Sequence, residues 1–356
     1  MTDSPASMAR LIEEQADDLA ARLVERQFAG DPSLLERFGG HGKQRCLEDA
    51  GFHLRHLSVA LDCGCPSFFA EYVGWARCLL HQRHVSVSDL EANLRGLMAV
   101  LEEQLPSGSR PVLEEYVADA IARLPEFPEE VPSSIGAVGA CRGLCERYLQ
   151  LLLKLRRQEA RQVVMDALDA GRSIEEVYLE VLQPVQYEVG RLWQHNRITV
   201  AQEHFCTAAT QSVIAELYPR LFASERRGRR AVVASVGPDL HELGGRMVAD
   251  LLELAGWDTV FLGANTPGEA IARMAVTHKA HVVALSATMC YHVPHVRRTI
   301  AAIRALPECR DTRIVVGGRP FMLEPELWRG IGADGSAADG REAVLLVEAL
   351  TAGGPS

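Results

Sequence analysis

The chain has 356 residues, 47% of them hydrophobic, and carries a net charge of −10. That length allows two or three domains, each with its own core. The acidity argues against general nucleic-acid binding, and no apolar run approaches the roughly 20 residues of a membrane span.

The N-terminal stretch "MTDSPASMARLIEEQADDL" is acidic and amphipathic, with no signal-peptide core. From residue 8 to 125 the sequence reads as successive helices. "LIEEQADDLAARLVERQF" and "DLEANLRGLMAVLEEQL" both place apolar residues at spacings of three and four, with breaks at "GDPS" and "LPSGSRP". Within this region "FHLRHLSVALDCGCPSFFAEYVGWARCLLHQRHV" sets His53 and His56 one turn apart, likewise His81 and His84, and puts Tyr72, Trp75 and Cys78 on one face. The plain reading of those histidines is the edge of a helical bundle. Cys63-Gly64-Cys65 lacks a second pair at zinc spacing. The nine cysteines follow no framework spacing, which fits reduced thiols in a cytoplasmic protein.

"LPEFPEEVPSSIG", residues 124–136, reads as a linker. Residues 137–222 return to helix in about four segments, and "RRGRR" at 226–230 reads as a solvated hinge. Beyond it the pattern changes. "AVVASV", "TVFLG", "HVVALSA" and "RIVVGG" alternate with helical stretches, and a weaker fifth unit closes the chain. This alternation predicts a parallel sheet covered on both faces, in the flavodoxin-like order 2-1-3-4-5. Three parts follow: an all-α domain over 1–130, a four-helix bundle over 131–225, and an α/β flavodoxin-like (Rossmann-like) domain over 226–356.

The predicted strand order gathers the marked loops. The first strand ends in Asp239-x-His241-x-x-Gly244, the third in Ser286-x-Thr288, and the fourth in Gly317-Gly318. In that order these strands are neighbours, so the loops meet at the carboxyl edge where such sheets bind ligands. A neutral imidazole is a good ligand for a borderline transition metal, and an acid two residues earlier can fix its tautomer.

The motif and its spacings, 41 residues and then 28, resemble the cobalamin-binding signature of methionine synthase and its relatives. The resemblance implies that His241 is the lower axial ligand of cobalt, supported by Asp239. It implies that Ser286 bonds the displaced tail base, and that Gly244, Gly317 and Gly318 line the tail's tunnel. Thr288 stands where the family commonly has Leu.

Methyl carriers, radical isomerases and sensors share this module, and the preceding helices discriminate among them. Trp193, nine residues, then Glu203-His204, with Val200 between, resembles the CarH-type light sensors, in which a four-helix bundle covers the upper face of adenosylcobalamin. That implies Trp193 and Val200 packing on the adenosyl group, with Glu203 and His204 completing the pocket. Positions 200, 203, 204 and 207 also share one helical face. Such sensors often have a histidine directly after the tryptophan, which binds cobalt after light. Here that place is Gln194, leaving His195 as the candidate.

The whole chain further resembles the photocobilins, which pair cobalamin with biliverdin held in a globin-related helical domain. This implies biliverdin in the N-terminal region, with His53, His56, His81, His84 and Arg55 as polar contacts, Tyr72 and Trp75 as packing, and Cys63 or Cys65 available for a thioether. The alternative there is a structural or dimerising helical domain.

The sequence thus predicts a cytoplasmic photoreceptor without enzymatic activity, bound to adenosylcobalamin and biliverdin. It is expected to signal through a light-dependent homo-oligomer or a protein partner, with no direct contact to nucleic acid or membrane. A methyl-transfer corrinoid carrier and a light-independent cobalamin sensor are the competing readings.

Overall fold

The computed structural model describes residues 4–221 and 225–352. The first three residues of the amphipathic N-terminal stretch, residues 222–224 at the end of the predicted bundle, and the chain end at 353–356 lie outside the described residues. Two compact units emerge, Met1–Glu130 and Val131–Ser356.

The first unit is all helical. It contains α1 (Pro5–Glu14), α2 (Ala16–Gly30), α3 (Ser33–Cys63), α4 (Pro66–His81) and α5 (Val87–Gln104). Arg110–Leu113 (α6) then passes through a π turn at Glu114–Ala118 into Asp119–Ala122 (α7). Local chemistry sets these boundaries. Ser4 caps α1 ahead of Pro5, and Ser86 and Asp89 form a reciprocal capping box at α5. α3 ends where Gly64 takes a left-handed φ of 67°, the usual glycine stop. Met8, Ile12, Leu19, Leu23, Leu54, Leu57, Leu61, Phe68 and Phe69 are fully buried. Each contributes about 1.5–3 kcal/mol of apolar burial. The stretch read as a linker is held rather than loose. Arg77 donates to the carbonyls of Leu124 and Phe127, and the Cys78 thiol donates to Glu129 O at 3.3 Å.

The second unit begins with a helical bundle of α8 (Arg142–Leu153), α9 (Arg157–Asp169), α10 (Ile174–Val177), α11 (Gln183–Gln194) and α12 (Val200–Leu221). A π turn at Tyr178–Leu182 joins α10 to α11. Pro184 lies just beyond it and cannot donate to the carbonyl of Glu180. The Cys145 thiol, on α8, donates to that carbonyl at 3.1 Å.

The sheet follows, with β1 (Arg230–Ser235), α13 (Leu243–Leu254), β2 (Asp258–Phe261), α14 (Gly268–Thr277), β3 (Val282–Ser286), α15 (Val293–Arg304), β4 (Arg313–Gly317), α16 (Arg319–Leu323), α17 (Leu327–Gly330), β5 (Gly335–Ala337) and α18 (Gly340–Thr351). All pairs are parallel and the order is β2-β1-β3-β4-β5, as the alternation of apolar runs and helices predicts. Bundle and sheet share this one compact unit. Tyr178 Oη donates to the buried Asp250 at 2.8 Å, Gln211 donates to Glu242 at 2.7 Å, and Arg341 pairs with Glu175 at 2.6 Å. Among the described residues no helix is long and apolar enough to cross a membrane.

Candidate functional site

Parallel pairing fixes the site's floor. Ser235, Ser286 and Gly317 stand in register across β1, β3 and β4, so the three marked loops leave the sheet side by side. Asp239 is completely buried there. Its Oδ1 accepts from His241 N at 3.0 Å and from His241 Nδ1 at 2.8 Å, and its Oδ2 accepts from Thr288 N at 2.6 Å. Burial alone would raise this carboxyl's pKa. Hydrogen bonds from the His241 ring and the two backbone amides, with the His292 imidazole close by, outweigh it and hold the group well below the usual carboxylate range.

The same bond raises the pKa of His241. The Asp239 carboxylate is the main cause, partial burial opposes it, and the charge of Glu203 adds to it. Because a carboxylate only accepts, the Nδ1 of His241 carries the proton and a neutral ring offers its Nε2 lone pair. The His241 side chain is 62% exposed while Asp239 is sealed, so the free nitrogen is accessible to a ligand. Glu203 lies on α12, and from the same helix Gln211 donates to Glu242, next to His241, at 2.7 Å, so the bundle's marked helix lies beside the sheet's marked loop. Thr207 donates to Glu203 Oε1 at 3.1 Å, as their helical spacing predicts. Val200, 54% exposed, and the exposed His204 lie on the same helix, and Trp193 is half-buried against the bundle core. The next residue to His241, Leu240, is apolar yet 74% exposed.

Behind the loops a slot of about 170 Å³ runs over the sheet face, lined by Gly244, Gly245, Val248, Ser286, Gly317 and Ala343 among others. The glycines differ in what they permit. A Cβ on Gly245 would meet Ser235 Oγ at 3.3 Å and Phe261 at 3.4 Å, and one on Gly317 would meet Ala337 O at 3.1 Å. Gly244 has open space. Gly318, at φ 104°, is demanded by its own backbone, since a Cβ would lie 2.0 Å from Ala287 O. An exposed, tautomer-fixed imidazole beside a narrow, mostly apolar slot fits a metal corrin whose planar tail base enters the protein.

Two residues absent from the motif reading belong to this site. His292, at the start of the helix after β3, is 2% exposed with Nδ1 3.2 Å from Asp239 Oδ2, not aligned for a hydrogen bond. Glu242 joins the bundle's Gln211 to the amide of Ala264. His292 lies six residues past Ser286, and only the fold brings it under Asp239.

Other expectations are corrected. His195 does not face this space. It is 2% exposed, its Nε2 accepts from Val131 N at 3.1 Å, and its Nδ1 donates to Arg191 O at 2.7 Å. Both ring nitrogens are committed, so His195 is no cobalt ligand in this arrangement. In the N-terminal unit His53 and His56 are buried and His81 and His84 are exposed. Periodicity alone does not separate the two pairs. α3 buries the first between neighbouring helices, whereas α4 ends at His81, leaving His84 in a turn at φ 62°. His53 Nδ1 and Tyr72 Oη are 2.7 Å apart, and the His56 ring stacks on Tyr72 with centroids 3.8 Å apart. Trp75 lies beyond Tyr72, centroids 6.3 Å apart, and Arg55 is exposed.

Comparison with known proteins agrees with this geometry. Residues 229–347 match the B12 binding domain family, and residues 144–218 match a second B12 binding domain family. The HTH-type transcriptional repressor CarH of Myxococcus xanthus is 29% identical over 210 residues, covering 57% of this chain and 69% of the repressor. The repressor CarA of the same organism is 30% identical over 204 residues, and the chain spans 65% of its length. Monomethylamine corrinoid protein 1 of Methanosarcina acetivorans is 25% identical over 192 residues, 52% of this chain and 87% of that protein. The solved monomethylamine corrinoid protein of Methanosarcina barkeri shares the fold at a TM-score of 0.53 and 20% identity, over 60% of this chain and all of its own.

Bundle and sheet are therefore cobalamin-binding domains, and the cofactor is a cobalamin or related corrinoid. The expectation of no direct nucleic-acid partner is overturned, because two similar proteins are named as HTH-type transcriptional repressors. The net charge of −10 is a whole-chain sum and says nothing of any one face.

Proposed function

We propose that the protein is a light sensor that binds adenosylcobalamin, with His241 as the lower ligand of cobalt and the bundle over the upper face. The observation that carries this reading is the bond between Gln211 of α12 and Glu242, which brings the helix bearing Val200, Glu203 and His204 against the loop of His241. Similarity to CarH supports it. Bound adenosylcobalamin supplies a light-labile cobalt–carbon bond. The chain's own part is to hold the cofactor through His241 and Asp239, to take its tail into the slot, and to pack Trp193 and Val200 on the upper group. Losing that group removes contacts made only by the closed bundle, so the balance between arrangements of bundle and sheet shifts.

The output in this reading is a changed interface in the cytoplasm, to a second copy, a protein partner or DNA, the last suggested by the named roles of CarH and CarA. The N-terminal unit is proposed to hold biliverdin near His53, His56, Tyr72 and Trp75, with the signal originating in either chromophore.

The deciding experiment is the absorption spectrum of the protein loaded with adenosylcobalamin, in the dark and after green light. A stable dark spectrum that converts on illumination supports the sensor. Equal affinity for methylcobalamin and adenosylcobalamin, with no change of assembly in light, favours the second reading, a methyl-transfer carrier. The similarity to monomethylamine corrinoid protein 1 and the exposure of Val200 favour that alternative.

A further inference from the structure

The turn that ends α11 does two things at once. It carries Trp193, partly exposed and packed against the bundle core, and it grips the first residues of the second unit. Glu188, 5% exposed, accepts from Ser133 Oγ at 2.9 Å and from Ser134 N at 3.0 Å. Arg191 closes on the same carboxylate at 2.6 Å and donates to Val131 O at 3.3 Å. His195 accepts from Val131 N and donates to Arg191 O. A carbonyl oxygen only accepts, so the proton sits on Nδ1, and the Nε2 lone pair is the one spent on Val131. That same lone pair is the one a metal would need. His195 can therefore hold Val131 or bind a metal, never both.

We propose that Glu188, Arg191 and His195 form a latch that couples occupancy of the upper cofactor pocket to the segment Val131–Ser134, which follows directly on the N-terminal unit. The inference rests on the reading that a bulky upper ligand packs on Trp193. Trp193 lies between Arg191 and His195 in the same turn. Apolar contact on its ring holds that turn in its closed form, and a ligand that binds the closed form alone stabilises it by mass action. Loss of the upper group withdraws that support. The turn loosens, and the amides of Val131 and Ser134 lose their acceptors together. The occupied pocket is thereby reported at the one stretch of chain that leads to the N-terminal unit.

The test is amide hydrogen exchange of peptides covering residues 128–136 in the full-length protein. It is measured in the dark with adenosylcobalamin and with hydroxocobalamin, so that no photochemistry is needed. Exchange at Val131 and Ser134 is expected to be roughly tenfold faster with hydroxocobalamin, a size typical of couplings between sites. Glu188→Gln keeps the side chain's shape and lies outside the cofactor site. It is expected to speed exchange at Ser134 even with adenosylcobalamin bound, while the cofactor's spectrum stays as in the native protein. His195→Gln provides the same readout at Val131 should Glu188→Gln fold poorly. Equal exchange in both cofactor forms, with spectra showing full loading, overturns the latch alone. Failure of adenosylcobalamin to load overturns the sensor reading and the latch with it, and the spectrum distinguishes the two failures.

Discussion

His241 donates its Nδ1 proton to Asp239 Oδ1 across 2.8 Å, and the acceptor is fully buried while the donor is largely exposed. This asymmetry orients a ligand. The carboxylate fixes the ring's tautomer and rotation from inside the protein and leaves Nε2 outward. Asp239→Asn keeps the shape but can present an N–H where an acceptor is needed. The cobalamin spectrum is expected to move toward a form with no axial nitrogen, with affinity falling about 10–100-fold, as for other supports of metal-bound histidine. His241→Ala should give the same spectrum more completely. An Asp239→Asn protein with native spectrum and affinity would separate the pair from metal binding.

Gly318 carries the sharpest backbone constraint at the site. Its φ of 104° and the approach of Ala287 O to 2.0 Å from any added Cβ leave no room for alanine without moving β3 or β4. Gly318→Ala is expected to lower the thermal midpoint and weaken cobalamin binding together, costing several kcal/mol by clash and by a left-handed φ. Gly244→Ala is the control, because its Cβ would meet nothing within 4 Å. Calorimetry and cofactor titration on the two variants should diverge clearly.

Trp193 tests the upper face. It packs against the bundle core yet remains partly exposed, so its ring has a surface to offer a ligand. Trp193→Ala is expected to reduce the preference for adenosylcobalamin over methylcobalamin by an order of magnitude or more, the scale of one lost aromatic contact. The readout is a pair of equilibrium titrations. If native and variant proteins bind both cofactors alike, the adenosyl pocket is lost and the carrier reading gains.

The sheet order and the gathering of three loops were legible because a parallel sheet needs buried β-branched runs, and its strands must end where glycines and polar residues begin. The Asp239–His241 pair was legible from spacing alone. The engagement of His195 with Val131 was not legible because sequence adjacency to Trp193 does not say which way a helix's last turn points. His292 was missed because its neighbour Asp239 lies 53 residues away, across two helices and two strands. The split between the buried pair His53 and His56 and the exposed pair His81 and His84 depends on where α4 stops, which one-turn spacing does not encode.

The N-terminal unit can be tested for a second chromophore directly. Its His53–Tyr72–His56 cluster brings imidazole and phenol groups together with Trp75 close by, a surrounding of the kind a linear tetrapyrrole would use. Expression with a source of biliverdin is expected to add a red or far-red band that cobalamin lacks. The double change His53→Leu and His56→Leu should remove or displace that band, whereas His81→Leu and His84→Leu, at exposed positions, should leave it in place. A full-length protein saturated with biliverdin that shows no such band reduces the unit to a structural or dimerising role.

The same two histidines make acid stability measurable. Burial lowers the His53 pKa to about 4, against a smaller opposing bond from Asn93, and lowers that of His56 to about 3, with the positive charges of His53 and Arg55 adding to the effect. Both are therefore neutral in the folded protein where an unfolded chain, with histidine near 6.5, begins to take up protons. A depressed histidine pKa gives stability that is complete above about pH 6.5. It drains away as the pH falls toward 4, because the unfolded state then binds protons that the folded state refuses. For His53 the full loss is on the order of 3 kcal/mol. Urea midpoints between pH 7 and 5 should fall more steeply for the native protein than for the His53→Leu and His56→Leu double variant, since carboxylates titrating elsewhere contribute equally to both. Parallel slopes would place the two imidazoles in contact with water and contradict their burial.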